Sequence, residues 1–201
     1  MRNQYKNLRF EINGLKKLNG IVNVSGAKNA VLPLMAAAIL NKGSLKISNV
    51  PTLSDSLTMS KLIEEMGGKV KFDRGNSILL DTSKLNKPFA PYDLVKTMRA
   101  SFYVLGPLIA RFGEAKVSLP GGCAWGPSPV DYHLHGFEKM GADINLTNGY
   151  IYASCKRLRG ADIYFEIPSV GATANILMAA TLAEGITKIT NAAREPHIVQ
   201  L

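Results

Sequence analysis

A unit that recurs roughly every seventy residues sets the strongest limit on what this chain can fold into. Each copy holds an apolar run of helical length that reaches a glycine, and an alternating strand pattern follows the glycine. The three glycines are Gly43, Gly113 and Gly185. Regular recurrence of this kind is typical of one domain assembled from like supersecondary units.

The first two copies stay alike beyond the strand. Each continues into an amphipathic helix pattern that ends in Met-Gly, SLTMSKLIEEMGGKVKF and PVDYHLHGFEKMGADINL, and then into a hairpin, NSILLD and GYIYAS. The third copy begins at Gly171 and stops at Leu201, where its second helix should start. We therefore expect a fragment or a truncation of a longer protein, with apolar surface left uncovered.

The first helix of every copy is apolar almost all round, over residues 27–41, 99–112 and 172–185. The strands and the second helices are only half apolar, which places the first helices at the centre and the sheets outside. The predicted class is α/β, with the layers of a closed barrel reversed. The central helices are shorter than the roughly 20 apolar residues that span a bilayer, so we expect no membrane partner.

The net charge and the cysteine content restrict the kinds of ligand and the cellular compartment that we expect. The chain has 24 Lys and Arg against 15 Asp and Glu, a net charge of +9, which favours an anionic partner. The one tight basic run, Lys156 to Arg159, has no interleaved aromatic residues, so we expect small phosphorylated ligands rather than nucleic acid. Two cysteines without a paired motif, and a polar start without an apolar signal region, predict a reduced cytoplasmic protein.

The starts of the three central helices are the candidate binding surface. Because the copies are related by the repeat, these starts lie at equivalent ends of the domain and converge on one face. Lys28, Arg99 and Gly171 occupy matching places in the three copies. Cations and free backbone N–H groups at helix starts favour the binding of anions.

Five motifs along the chain resemble one enzyme family. They are SGAKNA at 25–30, APYDLVKTMRAS at 90–101, SLPGGC at 118–123, SVGAT at 169–173 and NAAREP at 191–196. Together they are similar to the enolpyruvyl transferases that act on UDP-N-acetylglucosamine. The resemblance implies an inside-out α/β barrel of three βαβαββ-like repeats, here with the third truncated. It also implies that 28–201 form the first of two domains and that 1–27 are a strand segment pairing with the missing second domain.

The resemblance implies a reaction as well. The enolpyruvyl group of phosphoenolpyruvate moves to the 3-hydroxyl of UDP-N-acetylglucosamine and phosphate leaves, the first committed step of peptidoglycan synthesis. Cys123 would be the proton donor and the thiol that fosfomycin alkylates. From the residues alone, a thiol in a loop so rich in Gly and Pro is either functional or structural. No cofactor or metal is implied, and the fragment alone is expected to be inactive.

Carried over by motif, the implied site has two parts. Lys28 and Asn29 would contact phosphoenolpyruvate. Residues implied for UDP-N-acetylglucosamine are Arg99, Ser128, Pro129, Val130, Asp131, Tyr132, Ser169, Val170 and Gly171. Ser128 departs from the family, which commonly has Arg there, and a neutral hydroxyl does not replace a fork of charged donors.

Plainer roles compete with several of these assignments. Arg99 could pair with Asp93 at a helix end, Asp131 could be an ordinary first-turn residue, and Ser169 could be a helix cap. His133 and His135 form an HxH pair without a third ligand at helical spacing, so we expect no metal site. Two other functions stay open: a 3-phosphoshikimate 1-carboxyvinyltransferase-like enzyme, and a non-catalytic module that binds nucleotide sugars.

Overall fold

The computed structural model describes residue 9 and residues 11–14, 17–73, 76–120 and 130–201 of the chain. The predicted repeat is present in it. The first copy is two helices and three strands: α1 (Lys28–Ala37), β1 (Ser44–Ile47), α2 (Ser54–Glu65), β2 (Lys69–Asp73) and β3 (Ser77–Asp81). A 3-10 turn, Ala38–Leu40, ends the apolar run of α1.

The second copy repeats this order and adds a short strand and a short helix before it. Its elements are β4 (Phe89–Ala90), α3 (Tyr92–Val95), α4 (Leu105–Phe112), β5 (Glu114–Ser118), α5 (Asp131–Lys139), β6 (Asp143–Thr147) and β7 (Tyr150–Ser154). The predicted helix over 99–112 is correct only in its second half as an α-helix. Its first half, Arg99–Val104, is a 3-10 helix.

The third copy contains β8 (Asp162–Tyr164), α6 (Val170–Ala180), β9 (Lys188–Thr190) and α7 (Pro196–Gln200). Strand β8 stands in the same place before α6 that β4 occupies before the second central helix. The element order of the second copy therefore agrees with the predicted βαβαββ unit.

Among the described residues three small sheets form, one for each copy. Their strand orders are β1-β3-β2, β4-β5-β7-β6 and β8-β9. In the first two sheets the strand after the central helix pairs antiparallel with the last strand of its copy, as in the register that sets Val117 opposite Ile151. Strands β4 and β8 each pair in parallel with the strand that follows the central helix, β5 and β9. The two complete sheets are thus built to one plan.

The central helices lie inside and the sheets lie outside, as predicted. Met35 and Ile39 from the first apolar run, Leu108 from α4 and Ile176 from α6 are all buried in one core. On the sheets one face is covered and the other is open: in β3, Ile78 and Leu80 are buried while Leu79 is exposed. This alternation is what a sheet covered on one face by helices produces.

Helices α4 and α6 approach so closely that one position between them must be glycine. A Cβ added at Gly106 would collide with the backbone and side-chain oxygens of Asn175. The close approach lets the Gly106 N–H donate to Asn175 Oδ1 at 2.7 Å. The second and third copies are therefore joined by a buried hydrogen bond as well as by apolar contact.

The described residues between 9 and 27 form no helix or strand. Several of their apolar side chains are exposed, with Ile21 95% accessible. That 1–27 are a strand segment which pairs with a second domain stays a prediction. Within the described residues, no helix is both long and apolar enough to cross a membrane.

Candidate functional site at the helix starts

The starts of all three central helices line one cavity of about 820 Å³. Lys28 and Asn29 enter from α1, Arg99 from the 3-10 helix, and Ser169, Val170 and Gly171 from the start of α6. The predicted convergence of repeat-related helix starts is therefore correct. Val130 and Tyr132, beside the start of α5, complete this side of the cavity.

Lys28 contributes a positive charge at the first residue of α1. A cation there opposes the helix dipole, because the amino end of a helix is itself positive. Asp55, in the first turn of α2, compensates: its Oδ2 lies 2.9 Å from Lys28 Nζ. Asp55 also lines the cavity and is half as exposed as Lys28, at 27% against 52% of the side chain.

Arg99 contributes a second positive charge. The competing role as an ion pair with Asp93 is not what the structure shows, because Asp93 pairs with Lys96 three residues further on. Within the described residues no ion pair of Arg99 is formed. Arg99 is exposed and its guanidinium is free to meet an anion in the cavity.

The start of α6 contributes backbone N–H groups. Ser169 is its N-cap, and the hydroxyl accepts a hydrogen bond from the Ala172 N–H at 3.3 Å. The plainer role considered for Ser169 is thus confirmed, and Ser169 lines the cavity as well. The cap satisfies one of the free donors of the helix, and the first turn keeps others for a ligand.

The His133 side chain packs against the first turn of α6, next to Gly171. It is 8% exposed, and its Nε2 would stand 3.1 Å from a Cβ placed on Gly171. Burial, and to a lesser degree the charge of Arg99, lowers the pKa of His133 from 6.5 to about 3. The imidazole is therefore neutral at physiological pH.

The third copy also lines the cavity, through Glu195 and His197 at the start of α7. Tyr103, from the 3-10 helix of the second copy, lines it as well. His197 Nε2 is buried and has no hydrogen-bond partner within the described residues. Burial raises the pKa of the Tyr103 hydroxyl, and the charge of Arg99 lowers it by less. The cavity is therefore lined by the titratable side chains of Glu195, His197 and Tyr103 as well as by its two cations.

The structure does not place every predicted residue at this cavity. Asp131 is exposed in the first turn of α5 and lines a second, smaller cavity of about 440 Å³ with His135 and Lys139, and Tyr132 lines both cavities. Cys123, Ser128 and Pro129 lie outside the described residues. The other eight predicted residues line the large cavity: Lys28, Asn29, Arg99, Val130, Tyr132, Ser169, Val170 and Gly171.

Sequence reasoning missed Asp55, Glu195 and His197, and it considered His133 only as a metal ligand. A signal for Asp55 was present, because it stands in the first turn of the second helix of its copy as Asp131 does in the next. His133 directly follows the matched segment that ends at Tyr132. Glu195 is a member of the NAAREP motif, and His197 directly follows that motif.

Comparison with known proteins assigns the chain to a family. The family model described as EPSP synthase (3-phosphoshikimate 1-carboxyvinyltransferase) matches residues 12–201. The chain belongs to the EPSP synthase family. The match includes all three copies of the repeat and every cavity residue described above.

Curated relatives of this EPSP synthase family member carry another name. UDP-N-acetylglucosamine 1-carboxyvinyltransferase of Acinetobacter baylyi is 56% identical over 194 residues, which are 96% of this chain and 46% of that protein. Proteins of the same name from Thermodesulfovibrio yellowstonii and Enterobacter cloacae are 57% and 55% identical over 92% and 95% of the chain. The chain spans less than half the length of these relatives, 44% and 45% in the latter two.

Solved structures share the fold of this EPSP synthase family member. The enolpyruvyl transferase NikO from Streptomyces tendae superposes with a TM-score of 0.79 at 22% identity, over 93% of this chain and 44% of that one. EPSP synthase from Acinetobacter baumannii superposes with a TM-score of 0.71 at 17% identity, over 90% of this chain and 42% of that one. The predicted enolpyruvyl transferase type of α/β fold is confirmed.

Proposed function

We propose that this chain provides one wall of the active site of an enolpyruvyl transferase that uses phosphoenolpyruvate and UDP-N-acetylglucosamine. The observation that carries the proposal is the convergence of Lys28, Arg99 and the α6 start on one cavity of about 820 Å³. Both substrates are anions, and the cavity joins two cations to the positive end of a helix. The names of the curated relatives support the choice of substrates.

Phosphoenolpyruvate is proposed to bind at Lys28 and Asn29. Lys28 lies at the amino end of α1, so its charge and the helix dipole both attract a phosphate or carboxylate group. Asp55 holds the ammonium in place before the ligand arrives. The arriving anion then shares Lys28 with Asp55 or replaces it.

The sugar nucleotide is proposed to bind across the rest of the cavity. Its diphosphate suits the start of α6 at Ser169 to Gly171, with Arg99 as the nearby cation. Val130 and Tyr132 offer apolar surface beside it. Ser128, Pro129 and Asp131 stay predicted contacts that rest on the resemblance.

The proposed chemistry is acid catalysis followed by addition and elimination. Cys123, the predicted proton donor, protonates the methylene carbon of phosphoenolpyruvate, and the neighbouring carbon becomes oxocarbenium-like. The 3-hydroxyl oxygen of the sugar attacks that carbon and loses its proton to a base. A methyl proton then passes back to the Cys123 thiolate as phosphate departs, which restores both the double bond and the proton donor. With an ordinary pKa near 8.5, a thiol is mostly protonated at neutral pH, as a proton donor must be.

The cations at the cavity stabilise this sequence electrostatically. Phosphoenolpyruvate and the departing phosphate are anions throughout, and fixed positive groups in a closed site lower the barrier more than they would in water. No redox step is involved, so the proposal invokes no cofactor.

A second domain is proposed to supply the opposite wall and the base for the sugar hydroxyl. Without that base and the exclusion of water, this chain alone should bind UDP-N-acetylglucosamine weakly and turn over nothing. The division into 1–27 and 28–201, the absence of a nucleic-acid or membrane partner, and a cytoplasmic location remain predictions alongside it.

The test is a calorimetric titration of the chain with UDP-N-acetylglucosamine and, separately, with 3-phosphoshikimate. We expect weak binding of the sugar nucleotide that Arg99→Met reduces about ten- to a hundredfold, because a charged hydrogen bond contributes roughly 1.5–3 kcal/mol. Arg157→Met is the matched control, since Arg157 is exposed and lies outside the cavity. Tighter binding of 3-phosphoshikimate would favour the other enolpyruvyl transfer and contradict the proposal.

A further inference from the structure

We propose that Asn175 is a positioning residue, which fixes His133 in the neutral tautomer that carries its proton on Nε2. The imidazole then offers an uncharged N–H donor to diphosphate oxygens bound at the start of α6. The second part rests on the proposed function, because it takes a sugar nucleotide to be the ligand there. The first part concerns the ligand-free protein and stands on three buried hydrogen bonds.

The orientation of the Asn175 amide is set by its neighbours. The Gly106 N–H donates to one end of the amide at 2.7 Å, and this end must be the oxygen because only oxygen accepts. The other end is therefore the NH₂ group, which donates to the Phe102 carbonyl at 2.9 Å. Both partners are backbone groups of the neighbouring copy, so neither can rearrange to allow a flipped amide.

The same NH₂ group faces His133. Asn175 Nδ2 lies 3.0 Å from His133 Nδ1. Because an amide NH₂ group can donate but cannot accept, Nδ1 must accept with its lone pair. The one proton of the neutral ring is then on Nε2.

The surroundings of His133 disfavour a second proton on the ring. The Phe102 ring meets the imidazole edge to face at a centroid distance of 4.9 Å, and α6 covers it with Asn175 and Gly171. The positive charge of Arg99 repels an imidazolium and so lowers the pKa of His133 further. Burial and Arg99 together hold the pKa of His133 at about 3, so the donor stays neutral across the physiological range.

Nε2 is directed at the place where the anion is proposed to bind. It would stand 3.1 Å from a Cβ on residue 171, and glycine at that position leaves the space beside it open. His133 and Gly171 both line the large cavity. An Nε2–H group here adds a side-chain donor to the backbone donors of α6 without adding charge next to Arg99.

The first experiment records two-bond ¹H–¹⁵N spectra of the histidine rings in the ligand-free chain between pH 5 and 8. We expect His133 with a protonated Nε2 and a bare Nδ1 at every pH. A protonated Nδ1, a mixture of tautomers, or a titration in this range would overturn the assignment to Asn175. This result does not depend on which substrate the protein uses.

The second measurement adds UDP or uridine to the same sample. UDP, which has the diphosphate, should shift the His133 Nε2 signal, and uridine, which lacks it, should not. A saturating amount of UDP that leaves Nε2 unmoved would overturn the contact with diphosphate. A shift by UDP together with a preference for 3-phosphoshikimate in calorimetry would instead reject the proposed function and leave the tautomer assignment intact.

Asn175→Asp tests the positioning role directly. A carboxylate at this place accepts from Nδ1, which moves a proton onto Nδ1 and favours the imidazolium. The affinity for UDP-N-acetylglucosamine, whose diphosphate is esterified at both ends and has no group that titrates near pH 6, should be flat with pH in the parent chain. In Asn175→Asp it should become about tenfold tighter at pH 5.5 than at pH 8, since one pKa unit corresponds to a tenfold change. A flat profile with Nδ1 still bare would contradict the role of Asn175.

Thr173→Val is the matched control. Thr173 is also buried on α6, and its hydroxyl accepts from the Ala193 N–H at 3.0 Å. We expect lower stability but an unchanged tautomer and an affinity for UDP-N-acetylglucosamine that stays flat with pH. If Asn175→Asp does not fold, the spectra of the parent chain decide the tautomer and its contact with UDP.

Discussion

Lys28 Nζ and Asp55 Oδ2 are 2.9 Å apart and join the first turns of two helices at the wall of the cavity. The pair is partly exposed, so its contribution to stability is small, of the order of 0.2–1 kcal/mol. Its effect on ligand binding is of more interest. An anion that reaches Lys28 must compete with a carboxylate that is already there.

Asp55→Asn should tighten the binding of phosphoenolpyruvate to the chain. The substitution removes a negative charge while it keeps the shape of the side chain, so the positive potential at Lys28 rises. We expect an affinity gain of about two- to fivefold, the equivalent of a partly exposed ion pair. Calorimetry at low and high salt checks it, because salt screens an exposed charge and should reduce the gain.

Asp73→Asn is the control for this substitution. Asp73 lies 4.0 Å from Lys46 on the first sheet, and neither residue lines the cavity. It removes one negative charge from the whole chain without changing the cavity wall. An equal gain in both variants would mean that net charge alone is responsible, and a loss in Asp55→Asn would contradict the competition.

The stability of the chain should depend on pH through His133. Its pKa is about 3 in the folded chain and 6.5 when unfolded, so the unfolded state binds the extra proton between these values. Stability is therefore fully present above pH 6.5 and falls as the pH drops towards 3. From pH 7 to pH 5 the loss should be about 2 kcal/mol, at 1.36 kcal/mol for each pKa unit.

Urea unfolding at pH 7 and pH 5 measures this loss. His133→Phe should be less stable at pH 7, since Asn175 loses an acceptor, but the drop between the two pH values should shrink by about 2 kcal/mol. His135→Asn, an exposed position on the same helix, should keep the drop of the parent chain. An undiminished drop in His133→Phe would show that other groups cause it.

Gly106→Ala should destabilise the chain strongly. The added methyl group collides with Asn175, which separates α4 from α6 and breaks the hydrogen bond between them. Overpacking of a core costs about 1–3 kcal/mol, and for a chain of this size each kcal/mol corresponds to about 2–4 °C in Tm. Thermal unfolding followed by circular dichroism should show a clear fall in Tm.

Gly20→Ala tests whether the effect is specific to the interface. A Cβ at Gly20 would meet nothing within 4 Å, so the Tm should stay close to that of the parent chain. A Tm of Gly106→Ala as high as that of Gly20→Ala would mean that the two helices can separate without loss.

The central helices could be predicted because a helix that is buried on all sides needs a long run of apolar residues. The other described helices and strands of this chain do not have such runs. The ends of the central helices could not be predicted so well. Gly113 and Gly185 adopt left-handed backbone conformations, with φ of 74° and 91°. Gly43 does not adopt this conformation, because the first central helix ends in the 3-10 turn Ala38–Leu40, whose C-cap Asn41 is extended. The choice between these endings depends on contacts from other parts of the chain.

One such contact is made by Arg111 at the end of α4. Its guanidinium donates to the carbonyls of Ile39 and Asn41 at 2.8 and 3.1 Å, and to the Thr82 carbonyl at 2.9 Å. The side chain therefore caps the helix of another copy. No local pattern predicts a cap that is supplied from 70 residues away.

The candidate site also has some residues that local patterns predict and others that depend on distant contacts. Lys28, Arg99 and Gly171 could be predicted because the repeat puts them at matching places and family motifs contain them. The roles of His133 and Asn175 could not be predicted, because they depend on contacts between distant parts of the chain. A polar residue in an apolar helix pattern indicates that its side chain needs hydrogen-bond partners, but the pattern does not identify those partners. Asp131 was assigned by its motif, and it lines the smaller cavity that shares Tyr132 with the large one, so its contact with the sugar nucleotide stays a prediction.

The measurement that tests the central claim most directly is phosphate release from phosphoenolpyruvate by a full-length version, in which the second half of a curated relative follows Leu201. We predict release that requires UDP-N-acetylglucosamine, is abolished by Cys123→Ser because an alcohol is a far weaker acid, and is partly retained in Cys123→Asp. The 201-residue chain alone should release none. Release that needs 3-phosphoshikimate instead, or that continues unchanged in Cys123→Ser, would contradict the account.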